Sequence, residues 1–308
     1  MRLDDYRESD NVEDQRGQSF GGGGGFGGGG MFGLLFGLVL SRFGIGGVLV
    51  LLLGYCALTT LGGGGGGTPV GGPNQVATGQ AGEGAGAGAG GSACTVDAAS
   101  RFSCQVLAAT EDTWSRVLQA KGARYQPTDL VFYGGTGQSG CGMAEAAMGP
   151  FYCPSDKKIY LDTSFYQELS SRFGAAGDFA QAYVIAHEVG HHLQDLNGTL
   201  AGVQDKQQGL SSKQGNALQV RVELQADCLA GVWAANAKDA HGQALLEPGD
   251  AEEGLRAASA IGDDTLQKET QGMVVPDSFT HGSSAQRVEW LRKGLQSGDP
   301  AACDTFAG

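Results

Sequence analysis

DFAQAYVIAHEVGHHLQDLNG, residues Asp178–Gly198, is the stretch on which the reading of this chain turns. Ile185, Val189 and Leu196 recur at helical spacing on one face. Asp178 stands where an N-cap is expected and Asn197–Gly198 where a helix stops. His187 and His191 are four residues apart, so on a helix their imidazoles lie one turn apart and can reach one metal ion. His187-Glu188-Val189-Gly190-His191 is therefore an H-E-x-x-H motif. Glu188 is awkwardly placed for a third ligand but well placed to act as general base on a water at the metal. The apolar far side of the helix expects it to be packed in a core rather than free.

Working outward, a zinc site of this kind needs a third protein ligand and leaves a fourth position open. The metzincin spacing would put Gly at 194 and His at 197; the chain has Gln194 and Asn197. His192 points about 100° away from His191 on a helix and reads as a packing residue. The next helix, expected over Ser212–Asp239, carries RVELQADCLAGVWAA, with Glu223 and Asp227 on one face. Carboxylates in so apolar a stretch are costly unless partnered. A metal ion would partner Glu223, and the far nitrogen of His187 would partner Asp227, which then fixes the tautomer of that ring. The bland alternative is a solvated acidic stripe paired with Arg221. Two histidines from one helix and a glutamate from a second form a His₂Glu catalytic zinc set, so Zn²⁺ is the expected cofactor.

Several blocks of the chain resemble one family. RESDNVEDQR (Arg7–Arg16), GPFYCPSDKKIYLD (Gly149–Asp162), HEVGHHLQ (His187–Gln194), ELQADCLAGVWA (Glu223–Ala234) and DSFTHGSSAQRVEWL (Asp277–Leu291) are similar to the blocks of the putative neutral zinc metallopeptidase family, the YpfJ-like bacterial membrane proteins. The resemblance covers nearly the whole chain. It implies an N-terminal membrane anchor and a zincin-like peptidase domain, and the E-x-x-x-D helix is similar to that of gluzincins.

Composition divides the chain. It holds 308 residues and 55 glycines, 31 of them before residue 93. No G-X-Y period exists, which excludes a collagen, and the later part has enough apolar residues for a core, which excludes a fully disordered chain. The net charge of −13 argues against a nucleic-acid partner, whose phosphates call for Lys and Arg.

The apolar run Met31–Leu61 would span roughly 46 Å as one helix, too long for a bilayer core of about 30 Å. Arg42 divides it, and Phe43–Leu61, about 28 Å as a helix, fits the core. Arg2, Arg7, Arg16 and Arg42 precede this span and no basic residue follows until Arg101. The positive-inside rule then puts the N-terminus in the cytoplasm and the large domain outside. The expected location is the bacterial inner membrane, single-pass, with a periplasmic peptidase domain. A cleaved signal peptide, a lipoprotein signal ending at Cys56 and a buried soluble helix are the competing readings of the run. The expected organisation is a polar and Gly-rich cytoplasmic head at 1–30, an anchor at 31–61, a Gly/Ala-rich linker at 62–91 and a zinc metallopeptidase domain at 92–308.

Six of the seven cysteines lie after the linker. An even number in an oxidising compartment suggests disulfides, and local spacing favours Cys94–Cys104 and Cys141–Cys153, leaving Cys228 with Cys303. Free thiols in a cytoplasmic domain are the alternative. DLVFY (129–133) and KIYL (158–161) read as strands, KIYL being either a peptide-binding edge strand beside the active-site helix or an ordinary core strand. Residues 164–173, 249–268 and 284–296 read as helices, with Asp250 and Ser283 as N-caps. The expected fold class is α+β, mostly helical: a zincin-like, gluzincin-type domain behind one transmembrane helix.

A peptidase also needs a donor for the developing oxyanion. His281, on a loop before the last helix, is the first candidate; Tyr166 and Tyr183 are weaker ones. The function expected is membrane-anchored zinc peptidase chemistry on a peptide or protein substrate, with Glu188 as base and His281 as second catalytic residue. A zinc-stabilised envelope scaffold that cuts nothing is the alternative, and hydrolysis of non-peptide amides a third.

Overall fold

The computed structural model describes residues 1–18 and 90–307. In chain order the elements are β1 (Val12–Asp14), α1 (Gly90–Cys94), α2 (Ala98–Ala120), β2 (Asp129–Phe132), β3 (Thr136–Ser139), β4 (Gly142–Glu145), β5 (Phe151–Cys153), β6 (Lys158–Leu161), α3 (Phe165–Ser171), α4 (Asp178–Leu196), α5 (Thr199–Gln207), α6 (Ser212–Asn236), α7 (Asp250–Ala260), α8 (Asp263–Gln271) and α9 (Ser284–Ser297), with short 3₁₀ turns between some of them. One sheet has the order β1-β2-β6-β5, and β3-β4 is a separate hairpin.

The sheet explains the unalternating DLVFY. Leu130 and Phe132 belong to the main core, while Val131 and Tyr133 join Ala144, Cys153 and Tyr160 in a smaller cluster on the opposite face. A strand buried on both faces carries apolar residues in succession. β2 is flanked by β1 and β6, both parallel to it, and β5 runs antiparallel on the outer side of β6. KIYL is thus an interior strand, and the edge beside it is β5.

α4 is the central helix, packed against α2, α6, α7 and β5. Its apolar side enters the core, where Phe179 stacks on Trp233 of α6 with ring centroids 6.2 Å apart. α6 and α9 start with capping boxes, Ser211 with Gln214 and Ser283 with Gln286, which satisfy first-turn N–H groups that would otherwise be orphaned. α6 packs against both α4 and α9. Two expected caps moved by one residue. Gly177 and Gly249 occupy the cap positions, and Asp178 and Asp250 are the first helical residues. The single helix expected over 249–268 is broken at Ile261–Gly262 into α7 and α8.

The fold-class expectation needs correction. Among the described residues no helix is long and apolar enough to cross a membrane, and the span expected at 43–61 lies outside the described residues, as does most of the linker. The described residues form a mixed helical fold with small sheets rather than the expected α+β, zincin-like arrangement: two of the three ladders in the larger sheet are parallel. The third partner of that parallel set comes from the head. β1 pairs Val12 with Leu130 and Asp14 with Phe132. The Met1 ammonium donates to Asp178 of α4 at 2.6 Å, Ser9 and Asn11 donate to Glu111 of α2, and Arg16 donates to the Ala93 carbonyl of α1. The first residues are therefore part of the folded body, not a separate head. No local pattern marks it, because β1 is three residues long and two of the three, Glu13 and Asp14, are charged.

The structure joins Cys94 to Cys104, Cys141 to Cys153 and Cys228 to Cys303.

Candidate metal centre

The centre lies between α4 and α6. The two helices come close because position 190 has no side chain: a Cβ there would sit 3.0 Å from the Ala226 backbone. At that contact His187 and His191 of α4 face Glu223 of α6. Glu223 Oε2 is 3.2 Å from His187 Nε2 and 3.5 Å from His191 Nε2. All three donors lie within 4.8 Å of one another. Ligand atoms about 2.0–2.2 Å from a tetrahedral zinc ion stand about 3–4 Å apart, so this donor set fits Zn²⁺. The other Glu223 oxygen accepts from Gln219, one turn earlier on α6, at 3.1 Å.

Both carboxylates of the E-x-x-x-D helix are buried, Glu223 7% exposed and Asp227 fully enclosed, so the stripe is not solvated. Asp227 Oδ1 lies 2.9 Å from His187 Nδ1. A proton on Nδ1 leaves the Nε2 lone pair aimed at the point that Glu223 and His191 also face. The Nδ1 of His191 is 2.9 Å from Gln194 Oε1, and Gln194 in turn donates to the Val222 carbonyl at 2.7 Å. Each histidine is thus held at its far nitrogen by one residue, a pattern that orients metal ligands.

The electrostatics follow from burial and proximity. Burial alone would lower the pKa of His187, but the Asp227 charge and hydrogen bond outweigh it and the pKa is raised. His191 is likewise opposed by burial yet driven up to about 9 by Glu223. Burial would raise Glu223, but the two imidazoles hold it well below the ordinary carboxylate range. Glu188, 6% exposed, is raised by burial, tempered by His191 and His187. The Tyr152 backbone on β5 lowers it as well. A raised carboxylate pKa improves a base that must take a proton near neutrality.

His281 sits on the loop before α9, and its charge is felt at Glu223. Its ring Nδ1 is 3.3 Å from Asp263 Oδ1. The other Asp263 oxygen accepts three successive backbone N–H groups, from Thr280, His281 and Gly282, at 2.7–3.0 Å. Burial would lower the His281 pKa, but Asp263 and Glu223 raise it. Tyr183 and Tyr166 are not available as oxyanion donors: the Tyr183 hydroxyl donates to Asp227, and the Tyr166 hydroxyl shares a buried hydrogen bond with Ser103 at 2.8 Å. His192 turns away from the centre, 2.7 Å from the Gln126 carbonyl and 3.1 Å from the Tyr152 hydroxyl. It ties α4 to β5.

Arg287, Gln194, Gln219 and Asp263 are the residues around the centre that sequence reasoning missed. Gln194 follows His191 by three residues and could have been found from helical spacing alone. Arg287 and Asp263 come from other helices, and no spacing signals them.

A family model described as "Putative neutral zinc metallopeptidase" matches residues 1–306. The uncharacterised protein YpfJ of Escherichia coli K12 is 45% identical over 306 residues, 99% of each chain. The uncharacterised protein Rv2575 of Mycobacterium tuberculosis H37Rv is 43% identical over 221 residues, 68% of this chain and 72% of its own. No solved structure matches the chain significantly.

Proposed function

The chain belongs to the putative neutral zinc metallopeptidase family, and on that premise we propose that it is a zinc-dependent peptidase whose metal ligands are His187, His191 and Glu223. The convergence of those three donor atoms carries the reading. Zinc held there supplies Lewis acidity toward a peptide carbonyl and an attacking water. Glu188 takes the proton released as the water oxygen bonds to the carbonyl carbon, then delivers it to the amine as the C–N bond breaks. Asp263 accepts from Nδ1 of His281 and, together with Glu223, favours the protonated ring, whose second N–H is then left to donate to the developing oxyanion. The outer edge of the sheet at β5, next to α4, supports an extended peptide substrate pairing there by strand addition.

The three disulfides support an oxidising compartment as the place of work.

Glu188→Gln in the full chain tests the proposal. Zinc content should stay at the wild-type level while peptide cleavage falls by roughly 10²–10⁴-fold. Unchanged cleavage removes Glu188 from the mechanism. Bound zinc without cleavage of any member of a peptide library by the wild type returns the reading to a zinc-stabilised scaffold.

A further inference from the structure

Arg287 on α9 is a buried cation that the hydrolytic steps leave unused; the residue is 3% exposed. Its guanidinium forms a fork on Asp227, Nε to Oδ2 and Nη2 to Oδ1, each at 2.9 Å. Nη2 also donates to the Tyr183 hydroxyl at 3.0 Å, and Nη1 reaches the Ile261 carbonyl just past α7 at 3.3 Å. Asp227 Oδ1 therefore faces three groups at once: the Tyr183 hydroxyl, the Arg287 fork and His187 Nδ1. With Oδ2 also engaged, the carboxylate has one orientation that satisfies every donor.

We propose that Arg287 is a positioning residue of the candidate metal centre, fixing the ring of His187 through Asp227. The inference rests on the reading of His187 as a metal ligand. The fork is planar and bidentate, so it sets the plane of the carboxylate as well as compensating its charge. The carboxylate plane sets the direction of the His187 Nδ1 hydrogen bond, and that bond sets where Nε2 points. The path crosses three helices, α9 to α6 to α4, and ends on the ligand atom. A lysine can supply the charge but not the fork.

The test compares full-length wild type with Arg287→Gln, Arg287→Lys, Asp227→Asn and the Arg287→Gln/Asp227→Asn double variant. Zinc affinity is read by competition with a chromophoric chelator, and ligand geometry by the visible spectrum after Co²⁺ substitution. Thermal melting reports folding separately. The expected result is a zinc affinity roughly 10–100-fold weaker for Arg287→Gln, with an altered Co²⁺ spectrum. Arg287→Lys should recover part of the affinity, and the double variant should be no weaker than Asp227→Asn alone. A folded Arg287→Gln protein with wild-type zinc affinity and spectrum overturns the proposal, as do losses that multiply in the double variant. Should Arg287→Gln not fold, Arg287→Lys and its double with Asp227→Asn give the same comparison. If wild type and His187→Ala bind zinc equally, the ligand reading itself has failed, an outcome distinct from a failure at Arg287 alone.

Discussion

His191 and Glu223 make the proton a competitor for the metal. The ring of His191 is raised to about 9 by its carboxylate neighbour, and zinc binds only the neutral imidazole. Apparent zinc affinity is therefore expected to climb as pH rises toward about 9, with proton release on binding that calorimetry in two buffers can measure. The metal-free protein should do the reverse. A histidine whose folded pKa lies above its unfolded value of about 6.5 stabilises the fold fully below that value and loses its contribution as pH rises through about 9. Melting scans with and without zinc over that window check both signs. Asp263 titrates in the opposite sense. Burial opposes its ionisation, but His281 and the backbone N–H groups of the loop hold its pKa below the ordinary value near 3.8. Its contribution is present above that value and disappears as pH falls further. Asp263→Asn should flatten the acid limb of the stability profile and, by loosening the His281 loop, slow cleavage while zinc content is kept.

At the scale of elements, the centre depends on how closely α4 and α6 approach. A side chain at Gly190 would press on the Ala226 backbone, and one at Gly294 would meet the Cys228 carbonyl where α9 crosses α6. Gly190→Val is expected to destabilise the fold by about 1–3 kcal/mol, as overpacking does, and to weaken zinc binding by parting the imidazoles from Glu223. The measurement is chemical denaturation alongside zinc titration. A variant that loses stability but keeps zinc affinity would show that the helix spacing has slack. Elsewhere Asp97 caps α2 by accepting from the Ser100 amide at 2.7 Å. Asp97→Ala should cost about 1 kcal/mol without touching zinc affinity, because its partners, the Ser100 amide and Arg16, lie outside the metal centre. Of the elements, α4, α6 and α9 were legible because a long amphipathic pattern with local caps needs no distant information. The strand KIYL was legible as a strand but not as an interior one, since its neighbours β2 and β5 are set by the order of the sheet.

At the scale of the whole molecule, the first residues and the last described ones are each fixed to the folded body. The arm before residue 19 lies along β2 and α2, and Arg16 reaches Ala93 at 2.9 Å, so the residues on either side of segment 19–89 sit together. The arm and the metal centre belong to one folded body, and the expected outcome is that they lie on one side of any membrane. Cysteines placed at exposed Asp5 and Ser212 should both react, or both fail to react, with a membrane-impermeant thiol reagent on intact cells. Labelling of one alone would refute the pairing of β1 with β2. Removing residues 1–16 should lower the melting temperature and promote self-association, because it uncovers the edge of β2 and leaves Glu111 without its partners. At the other end, Cys228–Cys303 closes a loop of 75 residues on α6, next to Asp227. Such a loop is worth about 4 kcal/mol in the chain-entropy model. The Cys228→Ser/Cys303→Ser protein should lose stability of that order, read from denaturant midpoints.

What the sequence determined by itself is the part written in local spacing. Two imidazoles one turn apart, a carboxylate beside them, and a second helix whose buried acids demand partners are all consequences of 3.6 residues per turn and of the cost of burying charge. The cysteine pairs followed from short separations and elimination. Only the tertiary structure decided that a three-residue charged strand from the first turn of the chain completes the sheet, that β5 and not KIYL is the edge, and that Arg287 is the cation on Asp227. Each of these joins residues brought together by packing across long stretches of chain, 60 residues for Arg287 and Asp227, and no period in the sequence records which distant group fills a buried position.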